Sequence, residues 1–228
     1  AERDAVNRKD LVTMSDKKKK TEASEGTVQE TSMIREILSW IEVIIVAFVL
    51  ALFLNNFIII NATVPSGSML NTIAPGDRLL GLRLSYTLFG DPKRGDIAVF
   101  RYPLDEVSGV HTNYIKRVIG LPNETVEIRD AKIYINGSDT PLDEPYLWEE
   151  WTRVNDDMTF DVPEDCYLML GDNRNNSSDA RYWGYLAMQE GVVDNVEDAL
   201  ALQYVPKKDM LGKAYFCYWP LTRISSLY

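Results

Sequence analysis

The chain has 228 residues, 46% of them hydrophobic, with 34 acidic against 24 basic side chains and a formal charge of -10. Such a length holds one membrane segment and one globular domain of about 165 residues with a sizeable core, and excludes two large domains. The acidic balance argues against nucleic acid as a partner, because phosphate contacts need clustered Lys and Arg.

Residues 1–33 are polar, with Lys17 to Lys20 in a row and no apolar periodicity, a composition that predicts a disordered tail. From Ile37 to Ile60 the chain is almost wholly apolar, and Val43 to Leu54 contains no polar residue. A helical span needs about 20 such residues, so a transmembrane helix is expected over 34–60. Glu42, Asn55 and Asn56 lie toward its ends, and Trp40 suits an interface. A cleavable export signal fits less well, because a long segment precedes the apolar run and no A-x-A site follows at the right place. Lys and Arg cluster before the helix, while only Arg78 appears in the twenty residues after it. The expected product is a single-pass protein of the cell membrane with a cytoplasmic tail, an extracytoplasmic domain over 61–228 and the lipid bilayer as a partner.

Beyond Asn61, short β-rich runs alternate with turn signals: Asp77–Leu84, Asp96–Tyr102, Tyr114–Ile119, Thr125–Ile128, Lys132–Ile135, Cys166–Leu170 and Lys213–Tyr218. Asn136-Gly137 between two of them is a strong hairpin signal. Many strands and little helix predict a mainly β domain, a barrel or folded sheet. One helical exception is expected from Met188 to Gln203, inside an inserted segment over 185–204, where Val192, Val193, Val196, Leu200 and Ala201 recur at helical spacing. The acidic runs Asp143–Asp165 and Glu190–Asp198 show no ligand spacing and read as solvated loops, so no metal and no cofactor are expected. Cys166 and Cys217 are too few for a disulfide framework and read as core thiols, with a single bridge between them left open.

Three blocks carry chemistry. In Pro65-Ser66-Gly67-Ser68-Met69, Pro65 stiffens the entry to a turn, and Gly67 frees the backbone so that Ser68 can be presented as a nucleophile. Serine beside glycine is also common in ordinary turns. In Tyr114-Ile115-Lys116-Arg117-Val118-Ile119-Gly120, strand alternation puts Lys116 on one face with Tyr114 and Val118. Drying that lysine favours the neutral amine a general base needs. His111 keeps a Ser/His/Asp triad possible on inventory. The third block, Gly171-Asp172-Asn173-Arg174 through Ser177, Asp179, Arg181 and Gly184, taken alone reads as a salt-bridged surface turn.

Together, in this order behind an apolar segment, the blocks resemble the type I signal peptidases of bacteria, from about Thr63 to Ile224. The resemblance implies a signal-peptidase-like folded β-sheet ectodomain in the minimal single-anchor form. It implies a membrane-bound serine endopeptidase that removes signal peptides from exported preproteins, near the export translocon, by a Ser/Lys dyad that cuts after small residues. Ser68 would be the nucleophile and Lys116 the base. The Ser68 N–H and the Ser66 hydroxyl would hold the oxyanion. Ser177 would hydrogen-bond the Lys116 amine, Asp179 would pair with Arg181, and Asp172 with Arg117. Met69, Leu70 and Ile119 would help line the substrate pocket. Asn123-Glu124 departs from the family's usual G-D, although asparagine tolerates the left-handed backbone of a turn. Two other readings remain: a Ser/Lys autoprotease of the repressor-cleaving type, and a catalytically silent anchored adaptor.

Overall fold

The structure is a computed structural model that describes residue 33 and residues 35–105, 112–152 and 158–228. The expected disordered tail, Met33 apart, and His111 lie outside the described residues. The chain divides into two units, between Leu54 and Asn55.

Helix α1, Arg35–Ile58, is 24 residues long and apolar enough to cross a membrane. It ends two residues before the expected Ile60. The isoleucine run Ile58-Ile59-Ile60 is β-branched, and from Ile59 it continues as a strand that finds a pairing partner.

Among the described residues eleven strands follow: β1 (Ile59–Thr63), β2 (Arg78–Leu82), β3 (Ile97–Arg101), β4 (Asn113–Gly120), β5 (Thr125–Arg129), β6 (Lys132–Ile135), β7 (Met158–Asp161), β8 (Cys166–Leu170), β9 (Tyr204–Pro206), β10 (Met210–Trp219) and β11 (Ser225–Ser226). The larger sheet runs β1-β2-β10-β3-β4-β8-β9, with β11 on β10, and the smaller runs β6-β5-β7. Every pairing is antiparallel. The β5–β6 hairpin turns at Asp130-Ala131, whose φ of 50° and 54° are the left-handed pair a type I′ turn requires, whereas Asn136-Gly137, expected to close a hairpin, turns the chain after β6 at φ 53° and 68°. Asn123 likewise turns the chain at φ 64°.

The strands sort the apolar residues into two cores. The larger packs Phe100, Val118, Ile119, Ile128, Phe160, Leu168 and Trp183 between the small sheet, one half of the large sheet and a helix. The smaller gathers Val64, Met69, Ile73, Leu79, Ile97, Ala214 and Cys217 beneath the turn that bears Ser68. Both cysteines are free thiols, Cys217 buried and Cys166 partly so. Across the large sheet, Lys213 pairs in register with Ala98, and Ala98 with Lys116, so the two lysines share one cross-strand row.

The helical insertion differs from its sequence reading. Besides the short α2 (Ser85–Leu88), two helices form, α3 (Ala180–Gln189) and α4 (Val196–Ala201), in place of one from Met188 to Gln203. Asp179 caps α3 by accepting the Arg181 N–H, Gly191 turns the chain at φ 68°, and Asn195 caps α4 by accepting the Asp198 N–H. Val196 and Leu200, expected on the packed face, are exposed, because α4 buries Ala199 instead. A Cβ at Gly184 would overlap the Ala199 carbonyl, so contact between the two helices depends on that missing side chain.

Candidate active site

The turn that carries Ser68 is closed at its base by Val64 N–H donating to the Asp77 carbonyl (3.0 Å) and Gly76 N–H to that of Val64 (2.8 Å). Met69 and Ile73, both fully buried, root it in the smaller core, and Ile73 N–H donates to the Met69 carbonyl at 2.8 Å. With its neighbours pinned, Ser68 is held at the wall of an open cavity of about 420 Å³. The polar loop clamps it from the far side: Asn173 N–H donates to the Ser68 carbonyl (3.0 Å) and Asn173 Nδ2 to that of Gly67 (3.1 Å). Gly171 permits the approach, since a Cβ there would overlap the Ser68 carbonyl and the Ser177 hydroxyl.

Lys116 reaches this turn from the middle of β4. Its Nζ donates to Ser68 Oγ at 2.6 Å, and the side chain is only 4% exposed. Burial pushes the amine down to about 8, against the pull of Asp179 and Asp172, which favour the charged form, and with a further push from Arg181. Among the described residues no carboxylate lies within ion-pair distance of it, because each nearby acid is engaged elsewhere. Asp172 takes both arms of Arg117, Nε at 2.8 Å and Nη2 at 2.6 Å, and the Thr72 hydroxyl at 2.6 Å. Asp179 takes Arg181 Nε and Nη2, each at 2.8 Å, and the Gly171 N–H at 3.0 Å. Burial alone would push the Asp179 carboxyl up, but Arg181 and the Gly171 N–H hold it below its ordinary value. These bidentate pairs fix the loop in a low-dielectric setting where an unpaired charge would be costly. The Tyr114 ring centroid, 5.5 Å from Nζ, completes the apolar side of the lysine.

Several expected contacts take another form. Ser177 Oγ does not bond the Lys116 amine: it is buried, has no hydrogen-bond partner among the described residues, and is near enough to Asp179 to help hold that carboxyl low. Ser66 Oγ stands 3.4 Å from Ser68 Oγ. None of Met69, Leu70 and Ile119 lines the cavity. Met69 and Ile119 are consumed by the two cores, while Leu70 covers Gly67. The walls are Val64 to Ser68 on one side, Thr112 to Lys116 on the other, with Asn176 and Ser178 at the end. Among the described residues no group of His, Cys, Asp and Glu is placed to hold a metal ion.

A further support was invisible in the sequence. Glu144, inside an acidic run read as solvated, is buried and binds Arg174 through two bonds of 2.6 and 3.0 Å. Arg174 Nε in turn donates to the Gly171 carbonyl (3.0 Å), and the Arg174 carbonyl accepts from Arg181 Nη2 (3.0 Å). Tyr146, one residue beyond Pro145, places its ring 3.8 Å beneath the Arg117 guanidinium. The only sequence signal was aromatic residues (Tyr146, Trp148, Trp151) interleaved with the acids, unusual for a merely solvated loop.

The comparisons with known proteins agree on one family. The family described as signal peptidase, peptidase S26, matches residues 37–219. A probable signal peptidase I-2 of Synechocystis is 35% identical over 216 residues, 90% of this chain and 86% of its own. Signal peptidase I of Leptolyngbya laminosa is 35% identical over 84% of each chain. Signal peptidase I S of Bacillus subtilis is 36% identical over 67% of this chain and 83% of its own. A crystal structure of a signal peptidase I from Enterococcus faecalis aligns at 32% identity over 54% of this chain and 96% of its own, with a TM-score of 0.38. A turn-borne serine beside a dry lysine therefore sits in a chain that belongs to the S26 signal peptidases, serine endopeptidases of signal-peptide processing.

Proposed function

We propose that this enzyme cleaves signal peptides from exported preproteins with Ser68 as nucleophile and Lys116 as general base. The observation that carries the reading is the 2.6 Å contact between Nζ and Oγ at a lysine denied any carboxylate partner among the described residues. In its neutral form Lys116 takes the Ser68 proton as Oγ attacks the scissile carbonyl carbon. The oxyanion that forms is held by the Ser68 N–H and the Ser66 hydroxyl. As the C–N bond breaks, the Lys116 ammonium returns the proton to the leaving nitrogen, and the signal peptide stays as an ester on Ser68. Water, deprotonated by the same amine, then adds to the ester and releases the signal peptide.

The substrate lies extended in the cavity. Among the described residues β1 is an edge strand, and the first half of β4 pairs only with β3, since β8 joins from Arg117 onward. A peptide between them gains main-chain hydrogen bonds on open edges. Small residues before the cut suit walls made by Val64, Pro65, Tyr114 and Ile115. Helix α1 anchors the enzyme in the cell membrane with the tail cytoplasmic and the β domain outside, beside the translocon's products. The test is cleavage of a purified precursor in detergent with sequencing of the new N-terminus. Ser68→Ala and Lys116→Met are expected to be inert. Full processing by either variant would remove that residue from the mechanism.

A further inference from the structure

The cavity is chemically lopsided. Toward β1 it adjoins a second hollow of about 100 Å³ walled by a cluster of aliphatic side chains, Ile60, Val99 and Leu211 among them, together with Asn61, Thr63, Arg83 and Asn113. At its other end the walls include Asn176 and Ser178, both exposed and both on the loop that carries Ser177 and Asp179. None of the loop residues lines this second hollow.

Two arguments orient a substrate along this axis, both resting on the Ser68/Lys116 reading above. A signal peptide is apolar on the acyl side of the scissile bond, so that side matches the end that offers Ile60, Val99 and Leu211 better than the loop end, where Asn176 and Ser178 offer no apolar side chain. The leaving nitrogen must meet Lys116 Nζ to regain its proton, and Lys116 lines the same cavity as Asn176 and Ser178, with Asp179 and Arg181 of that loop near enough to act on its charge. The first residues of the mature protein therefore exit across Asn176 and Ser178. Neither side chain has a charge, and each can donate or accept a hydrogen bond.

We infer that Asn176 and Ser178 are specificity residues for the one or two positions that follow the cleaved bond, binding their polar side chains or main-chain groups and tolerating either charge. They act on which precursor is cut, not on the bond-breaking itself.

The experiment compares kcat/KM on three matched peptides that differ only in the two residues after the cut: neutral, acidic and basic. Asn176→Asp is expected to shift the basic-to-acidic preference about three- to fivefold toward the basic peptide, the size of an exposed ion pair. Asn176→Lys should shift it as far the other way, and Ser178→Asp should reproduce the first shift. The change should fall mainly in KM, and substitutions three or more residues before the cut should leave it unmoved. Opposite shifts in the two Asn176 variants support the inference, which a general loosening of the loop would not produce. If the order of preference is the same in all variants while Ser68→Ala is dead, the inference is wrong and the dyad stands. If Ser68→Ala still cuts, the underlying reading has failed instead.

Discussion

Lys116 and Lys213 share one cross-strand row of the same sheet, yet their surroundings diverge. Lys213 Nζ donates to the Asp96 carboxylate at 2.6 Å and lies 4.1 Å from the Tyr228 ring centroid. Lys116 Nζ meets only a hydroxyl at 2.6 Å, with the neighbouring carboxylates already committed to arginines. A partly buried amine with a counter-ion is part of the scaffold, whereas a buried one without is held near the point of losing its proton. The difference is made by arginines: Arg117 and Arg181 occupy Asp172 and Asp179 so that Lys116 cannot.

The sharpest way to break that contrast is to remove each lysine's amine. Lys116→Met, like Ser68→Ala, should lower kcat by about 10³-fold or more. Lys213→Met should keep cleavage within about tenfold of wild type, because its effect reaches the site only through packing. Equal losses from the two substitutions would erase the distinction.

The pH dependence tests the cause. With the amine at about 8, kcat/KM should fall tenfold per pH unit well below that value and level off above it. An acidic limb near 10 would show that Lys116 is not dry.

Stability should then move in opposite directions. The folded state releases the Lys116 proton near 8 while the unfolded chain keeps it until near 10.5, so the unfolded state binds more protons between those values and stability rises with pH across the window. The full rise is about 3 kcal/mol, and Lys116→Met should abolish it while leaving the protein at least as stable at pH 7. Lys213→Met, in contrast, strands the buried Asp96 carboxylate and should cost about 1 to 3 kcal/mol in denaturant unfolding. A loss of stability at pH 7 in both variants would count against the comparison.

Glu144→Gln sharpens it from outside the row. Losing that charge leaves the Arg174 guanidinium buried without a counter-ion, and the loop that engages Ser68 through Asn173 should loosen. The expected cost is about 3 kcal/mol of stability with kcat falling more than KM rises. An unchanged melting temperature would show that the strap is not what holds the loop.

How far the sequence disclosed these features depended on whether the signal was local. The apolar run of α1 and the central strands follow from periodicity and backbone preference, which act over a few residues, whereas the hairpin expected at Asn136-Gly137 closes instead at Asp130-Ala131, where the β5–β6 register sets the turn. Strands β7 and β9 are four and three residues long and exist because β5 and β8 offer partners, so nothing local announces them. Helix α3 was hidden because Asp179 serves at once as an ion-pair partner and as an N-cap, and its polar surroundings read as loop. Of the site, Ser68, Lys116 and the two carboxylate pairs were named from the motif blocks. The pocket was misplaced because Met69 and Ile119 look like any apolar neighbour of a catalytic residue until a core claims them. Glu144 was missed because its burial depends on Arg174, thirty residues away along the chain.

The site also draws on distant stretches. Ser68 and Lys116 are 48 residues apart, Arg117 and Asp172 are 55 apart, and the clamp from Asn173 to Gly67 spans 106. A chain that ends before the loop carrying Asp172, Asn173 and Asp179 lacks the groups that engage the Ser68 turn. On the proposed reading a nascent copy is thus a harmless polypeptide among its neighbours, and hydrolytic power waits until that loop has closed over the serine turn.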